Sequence, residues 1–158
     1  MSYELRDHTA DVAVEARADS LGAVFAAVAD GMAAAMCDEI PATGGERREI
    51  SVAAEGREAL LFDYLDELIY ERDVRTVLPV DNEATVVAPA TGDSDLEVDS
   101  GRETRETAGT DEAWLVEGSY RGIPLADVVA RDLKAVTYSE MALEERADGW
   151  YAYVVFDV

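Results

Sequence analysis

The chain has 158 residues, 49% of them apolar, and its 35 acidic residues against 13 basic ones give a formal net charge of −22. This length and apolar content suit one domain with a hydrophobic core, which we place over residues 1–158. The charge leaves no basic surface patch and argues against strong direct binding to a nucleic-acid backbone.

The acidic residues are spread along the chain, and Lys134 is its single lysine beside twelve arginines. A disordered acidic tail would concentrate the charge and lack aromatic residues, whereas this chain holds twelve of them. We therefore predict a soluble protein adapted to high salt, which screens the repulsion between carboxylates. We also expect a cytoplasmic protein, because there is no signal-peptide pattern and no apolar run of about 20 residues to span a membrane.

The first third of the chain predicts two strands and a helix. Residues 12–16 alternate between the two faces expected of a half-buried strand, so we place strands at 2–6 and 11–17. Asp19-Ser20 offers a helix cap, and the apolar residues that follow recur at helical spacing, which predicts a helix over 20–36.

The remaining pattern adds one helix and several strands. Before the polar stretch 91–112 it predicts a loop at 41–45, a strand at 49–55, a helix at 57–71 and two short strands within 75–88. After it we expect a strand at 114–120, a turn at 122–124, a short helical piece at 125–129, and strands at 133–137, 138–146 and 149–157. A hairpin turn at Asp148-Gly149 joins the last two strands. The polar stretch 91–112, with a strand through 96–98, reads as an acidic loop or hairpin tip whose flanks belong to one sheet. The fold class is α+β, with two main helices packed on a mixed or antiparallel sheet around one core.

The only histidine, His8, lies in the expected turn before Asp11. Two interpretations stay open: a turn held by His8 and capped by Asp11, or a site that handles a metal or a proton. One histidine does not make a zinc site, which takes three or four nitrogen or sulfur ligands. Asp7 and Asp11 offer oxygen ligands to a hard cation such as calcium or magnesium.

Asp157 ends a nearly continuous apolar strand, which is costly unless its carboxylate is paired, hydrated or bound to a cation. The carboxylate of Val158 follows directly. If the first and last strands are neighbours, Asp11 joins these two and completes a calcium-type set of oxygen ligands. A frayed, solvated chain end is the alternative.

Lys134 lies between Leu133 and Ala135 in a predicted strand. Its ammonium would reach a sheet edge or cleft, or would simply extend to solvent. Because arginine serves as the surface cation elsewhere, we favour a function that needs a compact point charge with a shiftable pKa.

Other chemistries find weaker support. Ser119 or Ser139 with His8 and an aspartate has the composition of a hydrolase triad, but there is no Gly-x-Ser-x-Gly elbow. There is also no glycine-rich nucleotide loop. Cys37 is the lone cysteine, and we predict a small buried side chain for it.

Three stretches together resemble the archease family: His-Thr-Ala-Asp at 8–11, Leu-Lys-Ala-Val-Thr-Tyr at 133–138, and Gly-Trp to Phe-Asp-Val at 149–158. Gly31-Met32 and the leucine-rich 60–68 are similar to its helical segments, so the resemblance spans nearly the whole chain. With its acidity, the chain resembles an archease from a salt-loving archaeon.

The resemblance implies a protein that is not itself an enzyme. It implies a cofactor of an RtcB-type RNA ligase, which joins tRNA halves; archeases promote guanylylation of the ligase histidine by GTP, permit multiple turnover and can broaden nucleotide use. It places the metal ligands at Asp11, Asp157 and Val158 and further functional residues at Lys134, His8 and Asp38.

The chain departs from the family in two places. Ser139 stands where the family often has a histidine, and 91–112 is longer than expected. A calcium-binding structural module without a ligase role, or a small hydrolase, remain as alternative functions.

Overall fold

Two antiparallel sheets and two helices make up the part of the chain that this computed structural model describes, namely residues 2–7, 11–89 and 113–158, with the backbone alone for 5–7. The elements are β1 (Ser2–Asp7), β2 (Asp11–Ala18), α1 (Leu21–Met36), β3 (Glu46–Ala54), α2 (Arg57–Arg75), β4 (Val77–Val87), β5 (Trp114–Pro124), a 3-10 turn (Leu125–Asp127), β6 (Ala135–Arg146) and β7 (Gly149–Asp157). The α+β prediction is confirmed. His8 and the strand predicted at 96–98 lie outside the described residues.

The sheets differ in how they bring distant parts of the chain together. One has the strand order β1-β2-β7-β6, so the last described strand lies between β2 and β6. The other has the order β3-β5-β4. In it Val87 pairs with Leu115, so the two strands that flank 91–112 are neighbours in one sheet, as predicted.

Helix α1 begins where the sequence indicates a cap: the Ser20 side chain accepts a hydrogen bond from the Ala23 N–H at 3.1 Å. Two glycines let the helix approach both sheets closely. A Cβ on Gly22 would lie 2.5 Å from the Ala84 carbonyl oxygen in β4, and one on Gly31 would lie 2.5 Å from Val14 in β2. The helix is therefore packed between the two sheets.

Helix α2 runs four residues beyond the predicted end and stops at Thr76, which takes the left-handed conformation with φ 52°. The extra turn holds Arg72, whose side chain is only 9% exposed. The apolar pattern does not predict a buried arginine, so the predicted end of this helix was too early.

The core is one hydrophobic cluster shared by both helices and both sheets. Its largest fully buried aromatic side chains are those of Phe25, Tyr64, Tyr120 and Phe156. Cys37 is 2% exposed, which confirms the buried position predicted for it. Neither described helix is long and apolar enough to cross a lipid bilayer.

Three strand predictions need correction. The turn predicted at 122–124 is the end of β5, where Gly122 pairs with Pro79. The two strands predicted within 75–88 are the single strand β4, with an irregularity between Val80 and Glu83. The strands predicted at 133–137 and 138–146 are one strand, β6, with a bulge between Thr137 and Ala142.

Candidate functional site

The ends of β2, β7 and β6 meet at one edge of the four-stranded sheet. Asp11, the first residue of β2, pairs with Asp157, the last residue of β7. On the other side of β7, Ala135 at the start of β6 also pairs with Asp157. The structure thus confirms that the two ends of the chain meet, the condition on which the predicted site depends.

Asp11 and Asp157 are directly opposite each other in an antiparallel pair, so their side chains lie on the same face with Cβ atoms about 5 Å apart. Asp11 is half-buried and Asp157 is exposed. Like charges in this position repel and destabilise the pair. The exposed position of Asp157 leaves this pair open to solvent.

Lys134 lies next to this pair, one residue before β6 begins. Its backbone N–H donates to the Asp157 carbonyl oxygen at 2.8 Å, and its side chain is exposed. The strand predicted to begin at 133 begins two residues later, at Ala135, so Lys134 lies just before it. We use the term strand-end cluster for Asp11, Asp157, Val158 and Lys134.

Residues 136–138, shortly after Lys134, make packing contacts and hydrogen bonds within the fold. Val136 is buried in the core, and the Thr137 hydroxyl donates to the Val155 carbonyl at 3.1 Å and accepts from the Ser139 N–H at 3.2 Å. The Tyr138 ring stacks on Phe62 of α2 with centroids 4.2 Å apart. Burial, and then the charge of Asp63, raise the pKa of the Tyr138 hydroxyl. Lys134 is exposed, like Tyr138 and Ser139.

Asp38 is held in a different way. It follows the C-terminal end of α1, is exposed, and accepts a charge-assisted hydrogen bond from the Arg131 guanidinium. Among the described residues, no three His, Cys, Asp or Glu side chains come close enough to hold a metal ion. Asp38 therefore does not join Asp11 and Asp157 in a three-carboxylate cluster.

The predicted metal set fits a hard cation by the chemistry of its donors. Asp11 and Asp157 supply carboxylate oxygens, and Val158 adds its own oxygens one residue further on. The set contains two acidic side chains, so metal binding stays a prediction. Ser119 and Ser139 lie in different sheets, and the Ser119 hydroxyl accepts from Arg47 at 2.7 Å.

The sequence reasoning missed Arg131, which connects Asp38 with the segment that carries Lys134. The available signal was weak. Helix α1 has no basic residue in its last turn, and a helix end of this kind attracts a cation from elsewhere in the chain. Which distant arginine meets that end could not be read from local pattern.

Comparison with known proteins identifies the family of this chain. The profile of the Archease protein family matches residues 3–158. The chain belongs to the archease family. This archease is 30% identical over 156 residues to Protein archease of Methanosarcina acetivorans, covering 99% of this chain and 95% of the relative. It is 29% identical to Protein archease of Archaeoglobus fulgidus over the full length of both chains.

Solved structures support the same fold. The solution structure of protein 1598 from Methanobacterium thermoautotrophicum matches this archease with a TM-score of 0.72 at 25% identity, covering 99% of this chain and 98% of that one. A Thermotoga maritima protein described as an archease and possible chaperone matches with a TM-score of 0.57 at 19% identity, covering 98% and 96%, and supports the fold alone. The names of these relatives denote a protein family and not an enzymatic activity.

Proposed function

We propose that this archease is a protein cofactor of an RtcB-type RNA ligase: it promotes guanylylation of the ligase and so permits multiple turnover, and it broadens the ligase's use of nucleotides beyond GTP. Family membership supports a cofactor role. The observation that carries the proposal is the pairing of Asp11 with Asp157 at an exposed edge, with Lys134 bonded to the same residue.

The chemistry of guanylylation explains why such a cluster is useful. A nucleophile on the ligase attacks the α-phosphate of the nucleotide, and pyrophosphate leaves, so negative charge must be stabilised on both sides of the phosphorus. A divalent cation supplies such stabilisation when bound. In our proposal Asp11, Asp157 and Val158 hold calcium or a similar hard cation, and Lys134 presents a compact positive charge to the ligase or its nucleotide.

The partner is therefore the ligase, and this archease acts on GTP and tRNA halves only through the ligase. We infer a cytoplasmic location from this partner, and adaptation to high salt from the charge of −22.

A turnover assay tests the proposal. Ligase from the same organism would be supplied with an excess of RNA halves and GTP, with or without archease, and ligated product per ligase counted. Asp157→Asn keeps the size of the side chain and removes its charge, and Lys134→Ala removes the ammonium. We expect each to lower the stimulation more than about tenfold, as losses around metal sites commonly do.

The matched control is Asp148→Asn, the same chemical change at the opposite, exposed end of the β6–β7 hairpin. It should stimulate like the wild type, and circular dichroism should show all variants folded. Calcium titration by calorimetry gives an independent readout. Stimulation by both site variants at the wild-type level would refute the proposal, and calcium binding without any stimulation by the wild type would favour the structural-module alternative.

A further inference from the structure

The segment 130–134 runs along the C-terminal end of α1 before it reaches the sheet. Cys37 and Ala130 form an isolated antiparallel bridge, and the Arg131 N–H donates to the Met36 carbonyl at 2.7 Å. Carbonyls in the last turn of a helix have no partner within the helix. This distant segment supplies one, so its path is fixed by the end of α1.

The Arg131 side chain strengthens this attachment. Its Nε donates to the Ala35 carbonyl at 3.0 Å, while the far end of the same guanidinium bonds the Asp38 carboxylate. The α1 helix has no basic residue of its own in the last turn, and Arg131 brings a cation from elsewhere in the chain to the negative end of the helix dipole. A planar guanidinium can serve both acceptors at once, which a lysine ammonium does with less directionality.

A second arginine reaches the segment from α2. Arg72 is 9% exposed, donates to the Met36 sulfur at 3.2 Å, and lies 3.8 Å from the Asp132 carboxylate. Beyond it, the Leu133 side chain is buried in the core, and the Lys134 N–H is bonded to Asp157. The backbone of Lys134 is therefore restrained on both sides.

We propose that Arg131, oriented by Asp38, is a positioning residue that fixes Lys134 beside Asp157. Asp38 then acts through Arg131, and not as a metal ligand, which agrees with its absence from any three-carboxylate group in the described part of the chain. The Asp38–Arg131 ion pair has side chains 79% and 54% exposed and contributes little by itself. The directional bond from Arg131 to the helix carbonyl carries most of the effect. The effect on ligation rests on the proposed function; the effect on Lys134 does not.

The composition of the chain permits a direct test. Because Lys134 is the only lysine, labelling with 15N-lysine gives one backbone amide signal, whose hydrogen exchange reports on this position alone. Labelled phenylalanine provides reference amides in α1 and β7. In Arg131→Ala we expect the Lys134 amide to exchange roughly threefold to tenfold faster, with the references unchanged, since a hydrogen-bonded anchor is lost.

Matched variants separate positioning from general stability. Arg48→Ala removes an equally charged, partly exposed arginine that pairs with Glu46 in the other sheet and should leave Lys134 exchange unchanged. Asp38→Asn keeps an oxygen acceptor for Arg131 and should behave like the wild type, whereas Asp38→Ala should fall between the wild type and Arg131→Ala. Unchanged Lys134 exchange in Arg131→Ala, relative to the phenylalanine references, would overturn the proposal.

Ligation provides the second arm. Arg131→Ala should lose ligase stimulation together with Lys134 protection, and Asp38→Asn should keep both. If Arg131→Ala loosens Lys134 but stimulates fully, Arg131 has no positioning role in the reaction. If the wild type gives no stimulation at all, the proposed function fails, while the exchange result still decides whether Arg131 fixes Lys134.

Discussion

Asp30 in α1 carries a half-buried carboxyl whose replacement by asparagine we expect to stabilise the protein at neutral pH. One oxygen of Asp30 accepts two hydrogen bonds from Asn82, from its backbone N–H at 2.9 Å and from its side-chain amide at 2.8 Å. Burial raises the pKa of Asp30, and the bonds from Asn82 offset this only in part, while the charge of Asp81 adds to it.

The sign of the pH effect follows from this raised pKa. The folded state binds a proton at Asp30 more tightly than the unfolded state does, so the free energy of unfolding falls as pH rises from the unfolded pKa through the folded one. At pH values above the folded-state pKa the carboxylate is ionised in both states, and its full desolvation cost is present. Asparagine does not ionise and removes this dependence.

Asparagine also has the right donors and acceptors for the site. Its oxygen can keep both bonds from Asn82, and its amide adds a donor where two buried oxygens, of Tyr64 and of the Asn82 side chain, find no hydrogen-bond partner among the described residues. Tyr64 is near, since burial and then the charge of Asp30 raise its pKa. Relieving an unsatisfied buried group gives about 1 kcal/mol at pH 7. With a urea m-value of about 2 kcal/mol/M, the midpoint moves up by roughly 0.5 M.

Urea unfolding at pH 4 and pH 7.5, at fixed salt, measures this. The gain for Asp30→Asn should be clear at pH 7.5 and smaller at pH 4. Asp127→Asn removes the same charge from an exposed position and serves as the control. Lower stability of Asp30→Asn than of the wild type at pH 7.5, or an equal gain at both pH values, would show that burial of the Asp30 charge does not destabilise the protein.

Three further predictions concern packing, acid stability and metal. Gly22→Ala should destabilise by about 1–3 kcal/mol in urea unfolding, because its Cβ would lie 2.5 Å from the Ala84 carbonyl oxygen. Tyr120→Phe should cost about 1–2 kcal/mol at pH 7 by loss of its 2.6 Å bond to Glu71. Burial opposes a low pKa for Glu71 but its hydrogen bonds outweigh it, so the stability it confers disappears as pH falls below the usual glutamate range, and the variant's acid transition should be shallower. Calcium should raise the Tm of the wild type but not of Asp157→Asn, as differential scanning calorimetry would show.

Each of these has a contrary outcome. Gly56→Ala, a glycine with open space around its Cβ position, is the packing control, and equal losses at Gly22 and Gly56 would contradict the steric argument. An unchanged acid transition in Tyr120→Phe would mean that its hydroxyl does not hold Glu71 ionised. Equal calcium responses of the wild type and Asp157→Asn would place any bound ion elsewhere.

The elements predicted well are those whose local signals agree with their tertiary surroundings. Helix α1 was placed within one residue, because Ser20 caps it and its apolar period is regular. The end of β5 was missed because Gly122 and Pro124 signal a turn locally. In the structure pairing with β4 overrides that signal, and Pro124 is tolerated since it is the last residue of the strand.

The site shows the same division. An acid at the end of an apolar strand made Asp157 conspicuous, and the meeting of the chain ends then placed Asp11 beside it. The role of Arg131 could not be predicted from the sequence, because it depends on where the end of α1 lies in space. The burial of Asn82 could not be predicted from local pattern either, because its partner Asp30 is 52 residues away in sequence.

The inner position of β7 also has a consequence for how the protein is made. The strand that carries Asp157 is synthesised after all the other described strands, yet it must insert between β2 and β6. Closing contacts across so much chain is slow and cannot begin until β7 has left the ribosome. The paired aspartates are therefore a late product of folding, and a nascent or truncated chain that lacks β7 cannot present them to any partner.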